Sequence, residues 1–269
     1  MSEKDRITDL LGQEWADIAA LLAGLPDEDW TRQALPGWTV HDVISHLIGT
    51  ERTLAGAPHP PVPQDGELGP HVRNDIARLN EAWVADLRDR SHADLLADFR
   101  AITAERLGAL RAMPDEEFNA PSWTPAGQAT YARFMRIRVF DCWMHEQDIR
   151  TATARPGNEG GPAAQEALAE VVQALGYIAG KRGGAPDGSS VTITLTGPVH
   201  RDLHVAVDGR AKVVDALAGP PTASLAVSSS LFLRLAGGRE DAEAALSRFE
   251  LGGDQALARR IAVNLAYTI

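Results

Sequence analysis

Asp141, His145 and Asp148 stand four and then three residues apart in RVFDCWMHEQDIR, residues 138–150. On a helix turning about 100° per residue, positions four and seven apart return to one face. A carboxylate and an imidazole one turn apart can reach a single ion without bending the backbone, so Asp141 and His145 are candidate metal ligands. A catalytic zinc usually takes three protein ligands and keeps one position open. His46, in VISHLIG, is the candidate for the third. Imidazole plus carboxylate makes zinc the first guess among divalent metals. Each residue also has a plainer reading. His46 could be a core histidine satisfied by one hydrogen bond, and Asp141 with His145 an ordinary exposed pair. Asp148 could hold His145 in its ligating tautomer, or be a solvated acid near a helix end.

The elements that would carry these residues are helical. Residues 5–25 place Ile7, Leu10, Leu11, Ile18, Leu21, Leu22 and Leu25 on one amphipathic face. After a loop closing in Leu35-Pro36-Gly37-Trp38, Thr39 and Asp42 have the spacing of a capping box. The helix they open runs to about Leu54 and contains His46. Residues 57–70, with five prolines and two glycines, read as a surface loop. Helical spacing returns over 72–90, and again after a Ser91/Asp94 cap until Pro114. The segment 114–130 reads as loop, anchored by Trp123. The motif helix spans about 130–152, and one more, about 162–181, completes an all-helical first part.

The character then changes. VTITLTG (191–197) and LHVAVDG (203–209) alternate and flank a turn, which suits a hairpin. AKVVDALAG and ASLAVS offer further strands, while SSLFLRLAGG and DQALARRIAVNLAYTI read as helices. The expected organisation is a helical domain, 1–182, followed by a small α+β domain, 183–269.

With 44% apolar residues the 269-residue chain can bury a proper core. A net charge of −11 argues against nucleic acid as a partner. The single cysteine, Cys142, allows no intrachain disulfide and suits a reducing cytoplasm. No signal core and no apolar run near 20 residues is present, so a soluble cytoplasmic protein without membrane contact is expected. Cys142 lies about 100° off the ligand face and reads as a buried filler. Trp38 and Trp143 read as core, Arg138 and Arg150 as surface or salt-bridging residues. His41, His59, His200 and His204 are not assigned as ligands. There is no G-x-S-x-G elbow, P-loop or dinucleotide fingerprint.

PGWTVHDVISHLIGTE followed much later by RVFDCWMHEQDIRTATARPG resembles the maleylpyruvate isomerase family of mycothiol-dependent enzymes, within the DinB-like superfamily. The resemblance covers nearly the whole chain. It implies a DinB-like four-helix bundle with a crossover, then a small C-terminal α+β domain similar to sterol-carrier proteins. It also implies a divalent metal, usually zinc, on His46, Asp141 and His145. The isomerase pattern has Glu at the acid position, where this chain has Asp141; one methylene less requires the ion closer to the helix, or a shifted helix.

The implied chemistry is activation of a low-molecular-weight thiol, mycothiol, as thiolate. The thiolate would attack an electrophilic small molecule, giving S-transfer if the adduct persists or cis–trans isomerisation if it leaves again. Arg234 and Arg239, in LFLRLAGGR, are candidate cations for a carboxylate on cofactor or substrate; both also suit a surface position near a helix C-terminus. Two other readings stay open: a non-catalytic small-ligand-binding protein, and a metal-dependent hydrolase using bound water.

Overall fold

The structure is a computed structural model describing residues 1–64 and 68–268. Residues 65–67 of the proline-rich segment and Ile269 of the last expected helix lie outside the described residues. The chain divides into two compact units, Met1–Gly157 and Asn158–Ile269. Among the described residues no helix is long and apolar enough to cross a membrane.

The first unit contains α1 (Glu3–Ala23), α2 (Asp27–Trp30), β1 (Gln33–Leu35), β2 (Trp38–Thr39), α3 (Val40–Leu54), α4 (Asp75–Leu87), α5 (His92–Ala112), α6 (Asp115–Phe118), β3 (Pro121–Thr124), β4 (Gly127–Thr130) and α7 (Tyr131–Ala152). The long helices α1, α5, α3 and α7 close a ring in which each packs on the next, and α4 lies on α3. This is the expected four-helix bundle. Ile7, Leu11, Trp15, Ile18 and Leu22 recur three or four residues apart on α1 and are all buried, the stripe that drives such packing. α3 meets α4, α5 and α7, so it is buried nearly all round, His41, His46 and Glu51 included. Gly49 lets α4 approach: a Cβ there would collide with the Trp83 side chain.

The capping box of Thr39 and Asp42 is formed in both directions and sets the start of α3. Ser91 caps α5 through Asp94 N, and Thr130 caps α7 through Arg133 N. Two expected loops are structured instead. The stretch before Thr39 is a small antiparallel pair, β1–β2, and 114–130 holds a single helical turn and the β3–β4 hairpin. That hairpin carries Trp123 outward: it is 54% exposed, with an edge contact to Phe134, and is no core anchor.

The second unit contains α8 (Pro162–Tyr177), β5 (Ser190–Thr196), β6 (Arg201–Asp208), β7 (Arg210–Val214), β8 (Ala223–Ser228), α9 (Ser229–Ala236), β9 (Glu250–Gly253) and α10 (Gln255–Ala262). Its sheet runs β7-β6-β5-β8-β9, with β5 and β8 parallel and the other pairs antiparallel. Val191, Ile193 and Leu195 of β5 are buried while Thr192 and Thr194 face the other way, the period-two pattern of a sheet with one covered face. The expected hairpin is β5–β6. β9, in a glycine-ended stretch without alternation, was not anticipated.

The division between units differs from the expected 182/183. α8 packs on β6, β7 and α9 and so belongs with the sheet. The contact is close enough that a Cβ on Gly176 would lie 2.7 Å from the Ala211 carbonyl oxygen, and one on Gly180, just beyond the end of α8, 2.6 Å from the Ala211 Cβ. An apolar helical stripe shows that a helix is buried, but not whether its partner is a bundle or a sheet.

Candidate metal centre

α3 and α7 bring the three ligand candidates together. His46 Nε2 lies 3.4 Å from Asp141 Oδ2, and His145 Nε2 lies 3.6 Å from Asp141 Oδ1. One donor atom from each residue falls within 4.8 Å of the others. A tetrahedral ion with bonds of about 2.0–2.2 Å holds its ligand atoms roughly 3.3–3.6 Å apart. The two His–Asp distances lie in that range but run to different oxygens of Asp141; with one donor atom from each residue the set spans up to 4.8 Å, a gap that small side-chain adjustments around an ion would close. Among the described residues this is the one group of three or more His, Cys, Asp or Glu side chains with such geometry.

The environment sets each donor in a ligating state. Burial disfavours a charge on His46 and holds its pKa below the usual imidazole range, although Asp141 pulls the other way. Burial opposes ionisation of Asp141, but Arg138, His145 and His46 together outweigh it and keep the carboxyl well below the usual carboxylate range. His145 Nδ1 is 3.1 Å from Asp148 Oδ2. A proton on Nδ1, donated to that carboxylate, leaves the Nε2 lone pair facing the centre. His46 is held differently. Its buried Nδ1 has no hydrogen-bond partner among the described residues, and the ring leans on Trp38, 5.2 Å between centroids.

Trp38 was expected in the core; it is only half-buried and walls the centre, 6.3 Å from the His145 ring as well. Its Nε1 donates to Glu81 Oε1 at 2.5 Å, and His71 Nε2 shares that oxygen at 2.7 Å. Glu81 and His71 carry no spacing signal, since α4 and the loop before it reach Trp38 only through the tertiary fold. Cys142 and Trp143 are buried as expected. Arg138 is buried and ion-paired rather than at the surface, and Arg150 pairs with Glu146. His41 Nε2 donates to the Arg90 carbonyl, and His204 pairs with Thr192. Neither joins the His–Asp–His group. Arg234 and Arg239 lie in the second unit, at and just beyond the end of α9; Arg234 pairs with Glu240 and Arg239 donates to the Gly237 carbonyl.

A four-helix bundle whose facing helices converge two imidazoles and one carboxylate, with an α+β unit after it, defines a bundle protein with a candidate metal centre. Comparison with known proteins makes the class specific. The profile of the Mycothiol maleylpyruvate isomerase N-terminal domain matches residues 11–150, and that of the MDMPI C-terminal domain matches residues 166–260. The chain belongs to the mycothiol maleylpyruvate isomerase family, as its two motifs suggested.

Uncharacterised proteins from two strains of Mycobacterium tuberculosis are each 30% identical over 148 residues. The match takes in 53% of this chain and 54% of theirs, about half the length of these curated relatives. Two crystal structures of the mycothiol-dependent maleylpyruvate isomerase share the fold. One, a histidine-to-alanine mutant, matches at TM-score 0.57 and 17% identity, covering 94% of this chain and 93% of that one. The other matches at TM-score 0.56 and 18% identity, covering 89% and 90%.

Proposed function

We propose that the protein is a divalent-metal-dependent enzyme, zinc being the first choice, that uses mycothiol as a thiol cosubstrate toward an electrophilic small molecule. The observation that carries this reading is the convergence of one donor atom each from His46, Asp141 and His145 within 4.8 Å of one another, in a chain of a family whose profile bears mycothiol in its name. A dication held there would lower the pKa of a thiol in its open position and present it as thiolate. The chain's own part is to shape that demand. The donor set carries one formal negative charge, on Asp141, so a dication's remaining charge favours an anion as fourth ligand. Asp148 fixes the His145 tautomer, and Trp38 supplies an apolar wall that limits water beside the two rings.

The thiol would supply the nucleophile. Displacement of a leaving group, which departs with its electron pair, would give S-transfer. Reversible addition to a conjugated double bond, whose electron pair would move into the conjugated acceptor and return as the sulfur leaves after rotation, would give cis–trans isomerisation. Arg234 and Arg239 enter this reading as cations for a carboxylate on cofactor or substrate; their present contacts to Glu240 and Gly237 would be exchanged for ligand contacts.

The test is metal analysis of the purified protein, then a mycothiol titration with and without the metal. Near-stoichiometric metal with saturable, metal-dependent thiol binding is the expected result. Metal without thiol binding, with turnover needing no thiol, would replace the reading by a hydrolase. Absence of metal uptake even after reconstitution would leave a non-catalytic ligand-binding protein.

A further inference from the structure

Behind the His–Asp–His group runs a chain of buried charges spanning three helices. Arg106 of α5 donates Nε to Glu51 Oε2 at 3.0 Å and Nη2 to the Tyr131 hydroxyl at 2.7 Å. Arg138 of α7 donates Nε to Glu51 Oε1 at 2.9 Å and Nη1 to Asp141 Oδ2. Its Nη2 also lies 2.9 Å from Glu51 Oε1 and approaches the Cys142 sulfur at 3.5 Å. The Glu51, Arg106 and Arg138 side chains are 1%, 4% and 3% exposed, so solvent and substrate do not reach them from this side.

Such a network is a poor source of stability, because desolvating several ions offsets most of their attraction. Its placement supplies another role. Glu51 sits on α3 five residues after His46, and Arg138 on α7 three residues before Asp141. One carboxylate therefore ties together the two helices that carry the donors. The planar guanidinium binds Glu51 and Asp141 at once, which fixes the plane of the Asp141 carboxylate and takes up part of Oδ2.

We infer that Arg138, anchored by Glu51, is a positioning residue that keeps Asp141 in register for a metal and restricts it to one ligating oxygen, an inference that rests on the metal-centre reading. A carboxylate free to rotate can chelate through both oxygens and favours larger, oxygen-preferring ions. One held by Arg138 offers a single oxygen, which suits a compact four-coordinate dication with a sulfur in its last position.

The test compares zinc affinity, by competition with a chromophoric chelator, and the visible spectrum of the cobalt(II)-loaded protein in four forms: wild type, Arg138→Lys, Glu51→Gln and Arg106→Lys. Lys keeps the charge but cannot bridge Glu51 and Asp141. The expected result is a roughly 10–100-fold loss of zinc affinity in Arg138→Lys, the usual cost of removing an outer partner of a metal ligand. The intense four-coordinate cobalt bands should weaken with it. Glu51→Gln, nearly isosteric, should move both readouts the same way and carries the test if Arg138→Lys does not fold. Arg106→Lys touches the network but not Asp141, and should lower stability while leaving the cobalt spectrum intact. Wild-type affinity and spectrum in both Arg138→Lys and Glu51→Gln would overturn the inference alone, as would an equal change in Arg106→Lys. A wild type that binds neither zinc nor cobalt would overturn the metal-centre reading, and this inference with it.

Discussion

His145→Ala is expected to lose metal binding by more than about 100-fold, since removing an outer partner of a ligand already costs about 10–100-fold and here the ligand itself is removed. His46→Ala should match it, because a three-residue donor set has no spare member. The two variants should differ without metal. His145 shares a charge-assisted hydrogen bond with Asp148, and losing such a bond costs about 1.5–3 kcal/mol. His46 Nδ1 has no partner among the described residues, so its removal sacrifices packing against Trp38 and the contact with Asp141, but no anchoring bond at Nδ1. Equilibrium dialysis against zinc, with chemical denaturation of the metal-free proteins, checks both halves. Stoichiometric zinc in His145→Ala would remove the residue from the site and the site from the function.

Glu14→Gln is expected to flatten the fall in stability at rising pH. Glu14 is 1% exposed on α1, and neither of its oxygens meets a hydrogen-bond donor among the described residues. Burial raises its pKa well above the usual carboxylate range, and the facing Glu146 and nearby Asp17 raise it further, against a smaller opposing pull from Arg150. Glu146 is already paired with Arg150 at 2.7 Å. A proton on Glu14 turns the meeting of two carboxyls into a hydrogen bond donated to Glu146. The folded chain therefore keeps a proton that the unfolded chain has released. This contribution is full below the ordinary glutamate pKa and is lost as pH rises toward the raised folded value, with a limiting slope of about 1.4 kcal/mol per pH unit for one proton.

His46 acts in the opposite sense: its lowered pKa costs stability as pH falls below the ordinary histidine range. Asp141, held low, loses its contribution only in stronger acid. The difference between wild type and Glu14→Gln, followed by denaturant titration at each pH, isolates the glutamate. The amide mimics the protonated acid, so the variant should gain on the wild type as pH rises. Parallel curves would mean that Glu14 is ionised in the folded state.

What could be read before folding was local. Thr39 and Asp42 predicted the start of α3 because a capping box is closed within four residues, and Asp141, His145 and Asp148 share a face through helical periodicity alone. The approach of His46 to them does not follow from spacing; it is expected because facing helices of a bundle can share a site, and the paired motifs strengthen it. Glu14, Glu51, Glu81 and His71 escaped notice because each finds its partner through the tertiary fold on another element. A glutamate in an amphipathic pattern looks solvated until the facing helix is known. The short pairs β1–β2 and β3–β4 escaped for a related reason: two to four residues between prolines and glycines carry too little alternation to distinguish a strand from a loop. α8 was found but given to the wrong unit, because its stripe of small and aliphatic residues suits a sheet as well as a bundle.

On the proposed function, the protein would meet reactive electrophiles and would have to survive them. The chain's one cysteine, Cys142, is fully buried on α7, with its thiol pushed above the ordinary range by burial although Arg138 opposes this. The thiolate is the form of cysteine that alkylating agents consume, so the native polypeptide offers them no competing thiolate. On that reading, any sulfhydryl titrated in the folded protein with a thiol reagent would belong to the added small thiol, and inactivation by an electrophilic substrate would have no cysteine through which to proceed.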